Sequence, residues 1–492
     1  MAESPIAVKG TSLAPHARLE PDAIGVAQDT VIGMASSAPA ASVGLTLALI
    51  VAATAYGSGP IIILTAIPML VIANAYRRLN LWNANCGASF EWVGRAINPY
   101  LGFLTGWLMI AAYIIATVSG VEVLGPSVLA VFGSNSTSTW SNIGIGTAVG
   151  VVMLVIAVVG IKITARTQVG MAIVEYGILV GIAAWALVAT LHHHPGTFAI
   201  THGWFRLTGI GGKGSLVGGF LAAVFMFTGW DGTVYVNEEV KHRRTNPGRA
   251  AMLAVAFLAI IYTFSTVGLQ GAVSPKNLQN NSADVLVYIA NALGGGAWAK
   301  VMALALALSV IATTGTGIVL TARLVYGMAS YRALPEFLSS VSRRFSTPVW
   351  ASILVGFLII ALTWVYLLTT SVQNAFDYVV DVTGLLFAVF YVLTALATVA
   401  YYRTRILASM KDALTLGLLP VAAAAFLVWM VVESLRNAGS SYRPEIASCL
   451  GIVAAGVLLM LVARFGLKSS FFGIRREHDQ GRKEEQARAG QA

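Results

Sequence analysis

The stretch Phe225-Met-Phe-Thr-Gly-Trp-Asp-Gly-Thr-Val-Tyr-Val-Asn-Glu-Glu239 is an apolar run interrupted halfway by Gly229-Trp230-Asp231-Gly232, with a carboxylate at the interruption. In hydrocarbon an unpaired backbone group or a lone charge costs several kcal/mol. A broken helix bearing an acid at membrane depth therefore persists only where it lines a protected, wetted cavity. Passage of a polar solute across a bilayer requires such a cavity.

The rest of the chain agrees with a membrane setting. A hydrophobic fraction of 57%, a charged fraction of 11% and a mean hydropathy of +0.77 exclude a soluble globular chain. Twelve apolar runs are long enough to cross a hydrocarbon core of roughly 30 Å as helices. They lie near 24–54, 60–79, 98–123, 143–161, 169–191, 214–239, 250–273, 297–328, 349–370, 376–402, 414–433 and 446–465. The short alternating strands of an outer-membrane barrel are missing from the pattern. The expected class is an all-α polytopic membrane protein, with a tail over 1–21, a membrane domain over 22–466 and a second tail over 467–492.

Charge gives the expected orientation. With an even number of spans both termini share one side, and most of the 31 Lys and Arg fall there, which predicts a multi-pass protein of the cell membrane with cytoplasmic termini. The net charge of +10 is then topological, and no nucleic-acid partner is expected. The segment Lys468 to Arg488 mixes both signs and reads as a solvated end, with weak contact to anionic lipid. The first 21 residues hold Pro5, Pro15 and Pro21, lack a secretory apolar core and read as a flexible tail. Cys86 and Cys449 are expected on opposite faces, unpaired.

A second span is broken like the sixth. The first carries Ser36-Ser37-Ala38-Pro39-Ala40 in its middle, five helices before Gly229-Trp230-Asp231-Gly232. Paired discontinuities at matching positions point to an inverted repeat with a ligand held between the breaks near the bilayer midplane. Half-helix N-termini there present free N–H groups and a positive dipole end to an anionic group. Two ordinary kinked helices are the plainer alternative. Gly102, Gly106, Gly315 and Gly317 read as close-packing positions between helices.

Four stretches carry a resemblance to a known family. They are Asn85-Cys-Gly-Ala-Ser-Phe-Glu-Trp-Val93 with Gly102-Phe-Leu-Thr-Gly-Trp107; Gly160-Ile-Lys-Ile-Thr-Ala-Arg166; Phe227-Thr-Gly-Trp-Asp231 with Glu238-Glu239; and Ala322-Arg-Leu-Val-Tyr-Gly-Met328 with Leu334-Pro335 and Thr347-Pro348. Together, and in this order, they resemble the amino acid-polyamine-organocation (APC) permease family over about 24 to 465. The resemblance implies ten core helices in two inverted five-helix repeats, with helices 1 and 6 broken, plus two extra helices. It also implies movement of amino acids, polyamines or related amines by proton symport or exchange, with no metal or organic cofactor.

Residue by residue, the resemblance places the substrate against Ser36, Ser37, Ala38 and Pro39 on the first break and against Phe225, Thr228, Gly229, Trp230 and Asp231 on the sixth. Asp231 takes the acidic or amide position of the helix-six motif, to pair with a substrate ammonium or carry a proton; capping of the following half-helix is the plain alternative. Phe225 matches an aromatic that closes over substrate, and Trp230 is placed to stack on a cation; packing is the alternative for both. Glu175 falls where some proton-coupled relatives carry a lysine in place of a sodium ion, so here the charge is reversed, to bind a proton or a cation; a neutral or hydrogen-bonded acid inside the bundle is the plain alternative. Thr313, Thr314 and Thr316 offer oxygens near it, or else bond their own helix backbone. Ser37-Ala38-Pro39 departs from the family's G-[S/T]-G nest. Pro39 has no N–H, so fewer amides are available to an α-carboxylate, which points toward a decarboxylated amine or an unusual acid.

Other charges read more plainly. Glu238, Glu239, Lys162, Arg166 and Arg323 sit at helix ends on the cytoplasmic side, as an ion-paired gate or as interfacial anchors. Asp377 and Asp381 suit a helix N-terminus. His192-His193-His194 has poor metal-ligand spacing. The leading expectation is a proton-coupled importer of an amino acid or amine. The alternatives are an exchanger and a ligand-sensing receptor without net transport. A membrane enzyme is weakest, because no nucleophile set or phosphate loop is apparent.

Overall fold

The computed structural model describes residues 18–54, 56–134, 138–207, 213–281, 284–369, 372–437 and 443–474; for 213–215, 372–381, 437 and 443 it describes the backbone alone. Much of the expected N-terminal tail, the C-terminal segment beyond 474, and the side chains of Asp377 and Asp381 lie outside that description.

Among the described residues, twelve helical spans from Val26–Thr54 to Pro444–Gly466 are long and apolar enough to cross a membrane, and the only strand-like pairing is an isolated parallel bridge between Ile24 and Val240. The protein is a multi-pass, all-helical membrane protein. The first span is two helices, α1 (Val26–Ser36) and α2 (Pro39–Thr54). Next in the chain are α3 (Ser58–Trp82), the short α4 (Ser89–Ala96), α5 (Pro99–Val131), α6 (Thr139–Val159) and α7 (Ile161–Leu191).

The sixth span opens as α8 (Lys213–Met226) and breaks where it was expected to. Its second part differs from the expected half-helix: two short 3-10 turns, Trp230–Val234 and Asn237–Glu239, replace a continuous α-helix. Gly229 at φ +101° and the glycine pair around Trp230-Asp231 disfavour a regular helix there. The chain continues through α9 (Asn246–Gln270), α10 (Pro275–Asn280), α11 (Val285–Gly294), α12 (Gly296–Ser330), α13 (Val349–Thr369) and α14 (Val372–Tyr402). It ends with α15 (Met410–Asp412), α16 (Leu419–Asn437) and α17 (Arg443–Leu461).

Polarity is distributed as lipid requires. The outward faces of α13 and α17 expose Trp350, Phe357, Val365, Leu450, Leu458 and Leu461, whereas Asp29, Glu175, Asp231, Glu239 and Arg323 are all buried. The broken elements therefore lie inside a ring of apolar helices. Small residues let that interior close: a Cβ on Gly102 of α5 would lie 2.6 Å from the backbone of Gly94 in α4.

The end of the chain departs from the reading of a solvated tail at its start. Phe471 is fully buried and stacks on Phe90, ring centroids 3.9 Å apart, beneath α4 and α5. Ser469 donates to the Tyr331 carbonyl at 2.6 Å. The sequence signal was present in Phe471-Phe472, an aromatic pair that the mixed charge following it obscured.

Candidate functional site: two helix breaks in contact

The two interruptions meet. A Cβ on Gly229 would lie 2.5 Å from the carbonyl oxygen of Ser36, so the second break closes directly on the backbone of the first. A positive φ and this contact together require glycine at 229.

At the first break, α1 ends at Ser36, Ser37 remains right-handed, and Ala38 turns the chain through φ +46° before α2 starts at Pro39. Proline suits that first position because its missing N–H would be unpaired there anyway. A left-handed alanine costs on the order of 1–2 kcal/mol, so its surroundings must hold it. They do so from three helices. Thr313 of α12 donates to the Ala35 carbonyl at 2.8 Å. One turn earlier on the same face, Ser309 accepts the Ala41 N–H at 3.2 Å. Glu175 of α7 accepts the Ala40 N–H on Oε1 at 2.9 Å, and Tyr262 of α9 reaches the Ser37 carbonyl at 3.3 Å.

At the second break, Asp231 is fully buried in the 3-10 turn after Gly229. Tyr391 of α14 donates to Asp231 Oδ1 at 2.8 Å, and its hydroxyl oxygen lies 3.4 Å from the Gly229 N–H. Tyr113 of α5 reaches the Gly229 carbonyl at 3.4 Å. Asp231 Oδ2 has no hydrogen-bond partner. Aromatic rings surround the turn: Trp230 stacks on Tyr391 at 5.4 Å and meets Tyr76 of α3 edge-on at 5.1 Å, while Tyr113 packs edge-on against Phe387 at 5.4 Å. A buried carboxylate with a free oxygen among aromatic faces and edges is chemically suited to an organic cation.

The expected residues separate in space. Ser36, Ser37, Ala38, Pro39, Gly229, Trp230 and Asp231 lie at the meeting point, where the Ser36 hydroxyl is buried without a partner. Phe225 is buried one turn earlier on α8, and the Thr228 hydroxyl donates to the Phe225 carbonyl at 2.8 Å, closing the end of its own helix. Glu175 and Thr313 reach the first break. Thr314 and Thr316 bond carbonyls of their own helix, at 2.8 Å to Val310 and 3.2 Å to Ala312. Trp230 faces Tyr391 rather than open space.

Several participants went unread in the sequence. Tyr113, Tyr262, Tyr391 and Ser309 are ordinary Tyr and Ser residues in largely apolar helices, and only the tertiary arrangement brings them to the breaks. Asp29 could have been found, being an acid inside an apolar span. It is fully buried on α1, neither carboxylate oxygen has a partner, and it sits about 10 Å before Ser36 along the helix by rise per residue.

Parts of three of the four stretches quoted for the resemblance, around Cys86, Glu239 and Arg323, meet at one end of the bundle. Ala23 and Ile24 N–H groups donate to the Glu239 carbonyl at 2.8 and 3.1 Å, and the Lys241 N–H returns to Ile24 at 2.9 Å. The Glu239 side chain holds Arg323 of α12 in a two-pronged ion pair at 3.0 and 3.1 Å, both fully buried, which rules out interfacial anchoring for this pair. Glu238 accepts the Cys86 N–H at 3.1 Å. Burial pushes the Glu238 carboxyl up, against the lowering effects of that N–H and of Arg243. Asn83 and Asn85 both donate to the Glu91 carboxylate. Lys162, by contrast, pairs with Glu20 at the surface.

Comparison with known proteins places this geometry. The chain is 29% identical over 178 residues to the Asc-type amino acid transporter 1 of Mus musculus, a segment that spans 35% of this chain and 33% of that protein's length. It is 23% identical over 334 residues to the low-affinity putrescine importer PlaP of Escherichia coli (strain K12), covering 63% of this chain and 67% of that one. Among solved structures it is similar to MhsT in complex with L-phenylalanine, with a TM-score of 0.57 and 14% identity over 84% of this chain and 99% of that one, a likeness of fold alone. A family model described as amino acid permease matches residues 28–455. On that match over most of its length, the chain belongs to the amino acid permease family, within the amino acid-polyamine-organocation superfamily.

Proposed function

We propose that the protein is a secondary active transporter that imports an amino acid or a related amine across the cell membrane by alternating access, coupled to protons. The observation that carries this reading is the buried Asp231, with one oxygen free, at the point where the two broken spans touch. A site at such a junction opens to either side when one half of the bundle rocks against the other. The amino acid and amine transporters among the relatives support the same solute class.

In this reading the transport unit is residues 22–466, built as two inverted five-helix repeats plus α16 and α17, and both tails, 1–21 and 467–492, are cytoplasmic. Ser36, Ser37, Ala38, Pro39, Phe225, Thr228, Gly229, Trp230 and Asp231 form the substrate site. Glu175, Asp231, Thr313 and Thr314 form the coupling path, with the buried carboxylates as proton carriers. The latch of Ile24 and Glu239 with Arg323 then closes the cytoplasmic side.

Purified protein in proteoliposomes tests this. Accumulation of labelled amine or amino acid driven by an inward pH gradient, and abolished by a protonophore, is the expected result. Uptake that needs internal counter-substrate and ignores the gradient would replace import by exchange, and ligand binding without flux would replace both by a sensor.

A further inference from the structure

We propose that Glu175 sets the ligand class of this site: its carboxylate occupies the position at the start of α2 that a substrate carboxylate would take, so the site selects an organic ammonium that lacks an α-carboxylate. The inference rests on the transporter reading only in naming the site; it concerns what the site binds.

A half-helix at a membrane break recognises an anion through the free N–H groups of its first turn. Around the first break none is free. The Ser37 N–H donates to Met34 at 3.0 Å, the Ala38 N–H to Ala35 at 3.2 Å and the Ser42 N–H to Ala38 at 2.7 Å. Pro39 has no N–H. The remaining two N–H groups, of Ala40 and Ala41, are taken by Glu175 Oε1 at 2.9 Å and by Ser309 Oγ at 3.2 Å.

The charge balance points the same way. Glu175 is fully buried, and its Oε2, like Asp231 Oδ2, has no partner. The two breaks thus offer two unpaired carboxylate oxygens, the Ser36 and Thr233 hydroxyls and one neutral donor, the Trp230 Nε1–H, and the start of α2 offers no free backbone donor. An incoming carboxylate would meet a carboxylate already in place and no N–H of that turn to receive it. An ammonium meets acceptors and aromatic rings.

The test is competition binding on the purified full-length protein, using decarboxylated amines and their parent amino acids as matched pairs: putrescine against ornithine, and 2-phenylethylamine against L-phenylalanine. Each amine is expected to compete at a concentration at least tenfold below that of its amino acid. Glu175→Ala, which frees the Ala40 N–H and removes the charge, should narrow that ratio at least tenfold. Glu175→Gln, whose carbonyl can still accept the Ala40 N–H, should narrow it less. Amino acids that bind wild-type protein as well as their amines overturn the inference without any variant, as does a ratio that Glu175→Ala leaves unchanged. Preferential amine binding without flux in proteoliposomes would uphold this inference and sink the transport reading, so the two failures are distinguishable.

Discussion

Asp231, Gly229 and Tyr391 make separable demands at the scale of single residues. Removing the charge of a buried carboxylate that pairs with a ligand ammonium costs about 2–5 kcal/mol, so Asp231→Asn is predicted to weaken amine binding at least about thirtyfold while the protein still folds. Tyr391→Phe removes the hydroxyl that holds Oδ1 in place. Its expected effect is smaller, about 1–3 kcal/mol, measured in the same binding assay. Gly229→Ala should fail differently, because a methyl group 2.5 Å from the Ser36 carbonyl at positive φ forces the breaks apart; loss of monodisperse protein, not of affinity alone, is the expected readout. The sequence disclosed the acid and the glycine, because both are anomalous in an apolar run. It did not disclose Tyr391, since a tyrosine in Phe390-Tyr391 looks like any other aromatic until α14 is seen against the break.

At the scale of elements, α12 joins the two halves of the first break and also anchors the latch through Arg323. Ser309 and Thr313 lie one turn apart on one face, so the same helix satisfies the Ala35 carbonyl near the end of α1 and the Ala41 amide near the start of α2. Further along, Arg323 is paired with Glu239 without access to water. Breaking a buried pair by removing one partner costs about 3–5 kcal/mol. Arg323→Met and Glu239→Met should each lower the thermal midpoint in detergent, and the double Arg323→Met/Glu239→Met should recover part of that loss. A double variant no better than the sum of the singles would show that the pair acts through something other than its uncompensated charge.

Glu238, next along the same turn, carries a pH signature. The folded protein holds its proton more tightly than the unfolded chain does, so its contribution to stability is fully present below the unfolded value of about 4.3. That contribution is lost as pH rises through the higher folded value. Glu238→Gln should flatten this fall; an unchanged pH profile of the midpoint would contradict it. The latch was half legible in the sequence. Glu238-Glu239 and Arg323 stood out as charges at helix ends, but their burial, and the pairing of Ile24 with Val240, depend on how the ends of the first and sixth spans fold over one another.

For the whole molecule, hydropathy marked twelve spans, and the Ser, Pro and Gly interruptions inside two of them placed both breaks, because lipid allows few ways to satisfy a backbone. The sequence patterns also missed the 3-10 turns that replace the second half of the sixth span and the burial of Phe471 beneath α4, both of which depend on tertiary packing. Asp29 was within reach of the same rule that found Asp231 but sat near a span end, where an acid attracts less notice.

One claim is central: Asp231, at the junction of the breaks, carries a ligand ammonium through the membrane. The direct measurement is uptake of labelled putrescine, with 2-phenylethylamine as a second probe, into proteoliposomes holding either wild-type or Asp231→Asn protein under an inward pH gradient. Gradient-driven accumulation by the wild type and at least about a thirtyfold loss in the variant are the predicted results. Equal uptake by the two proteins, with the same dependence on pH, would contradict the claim.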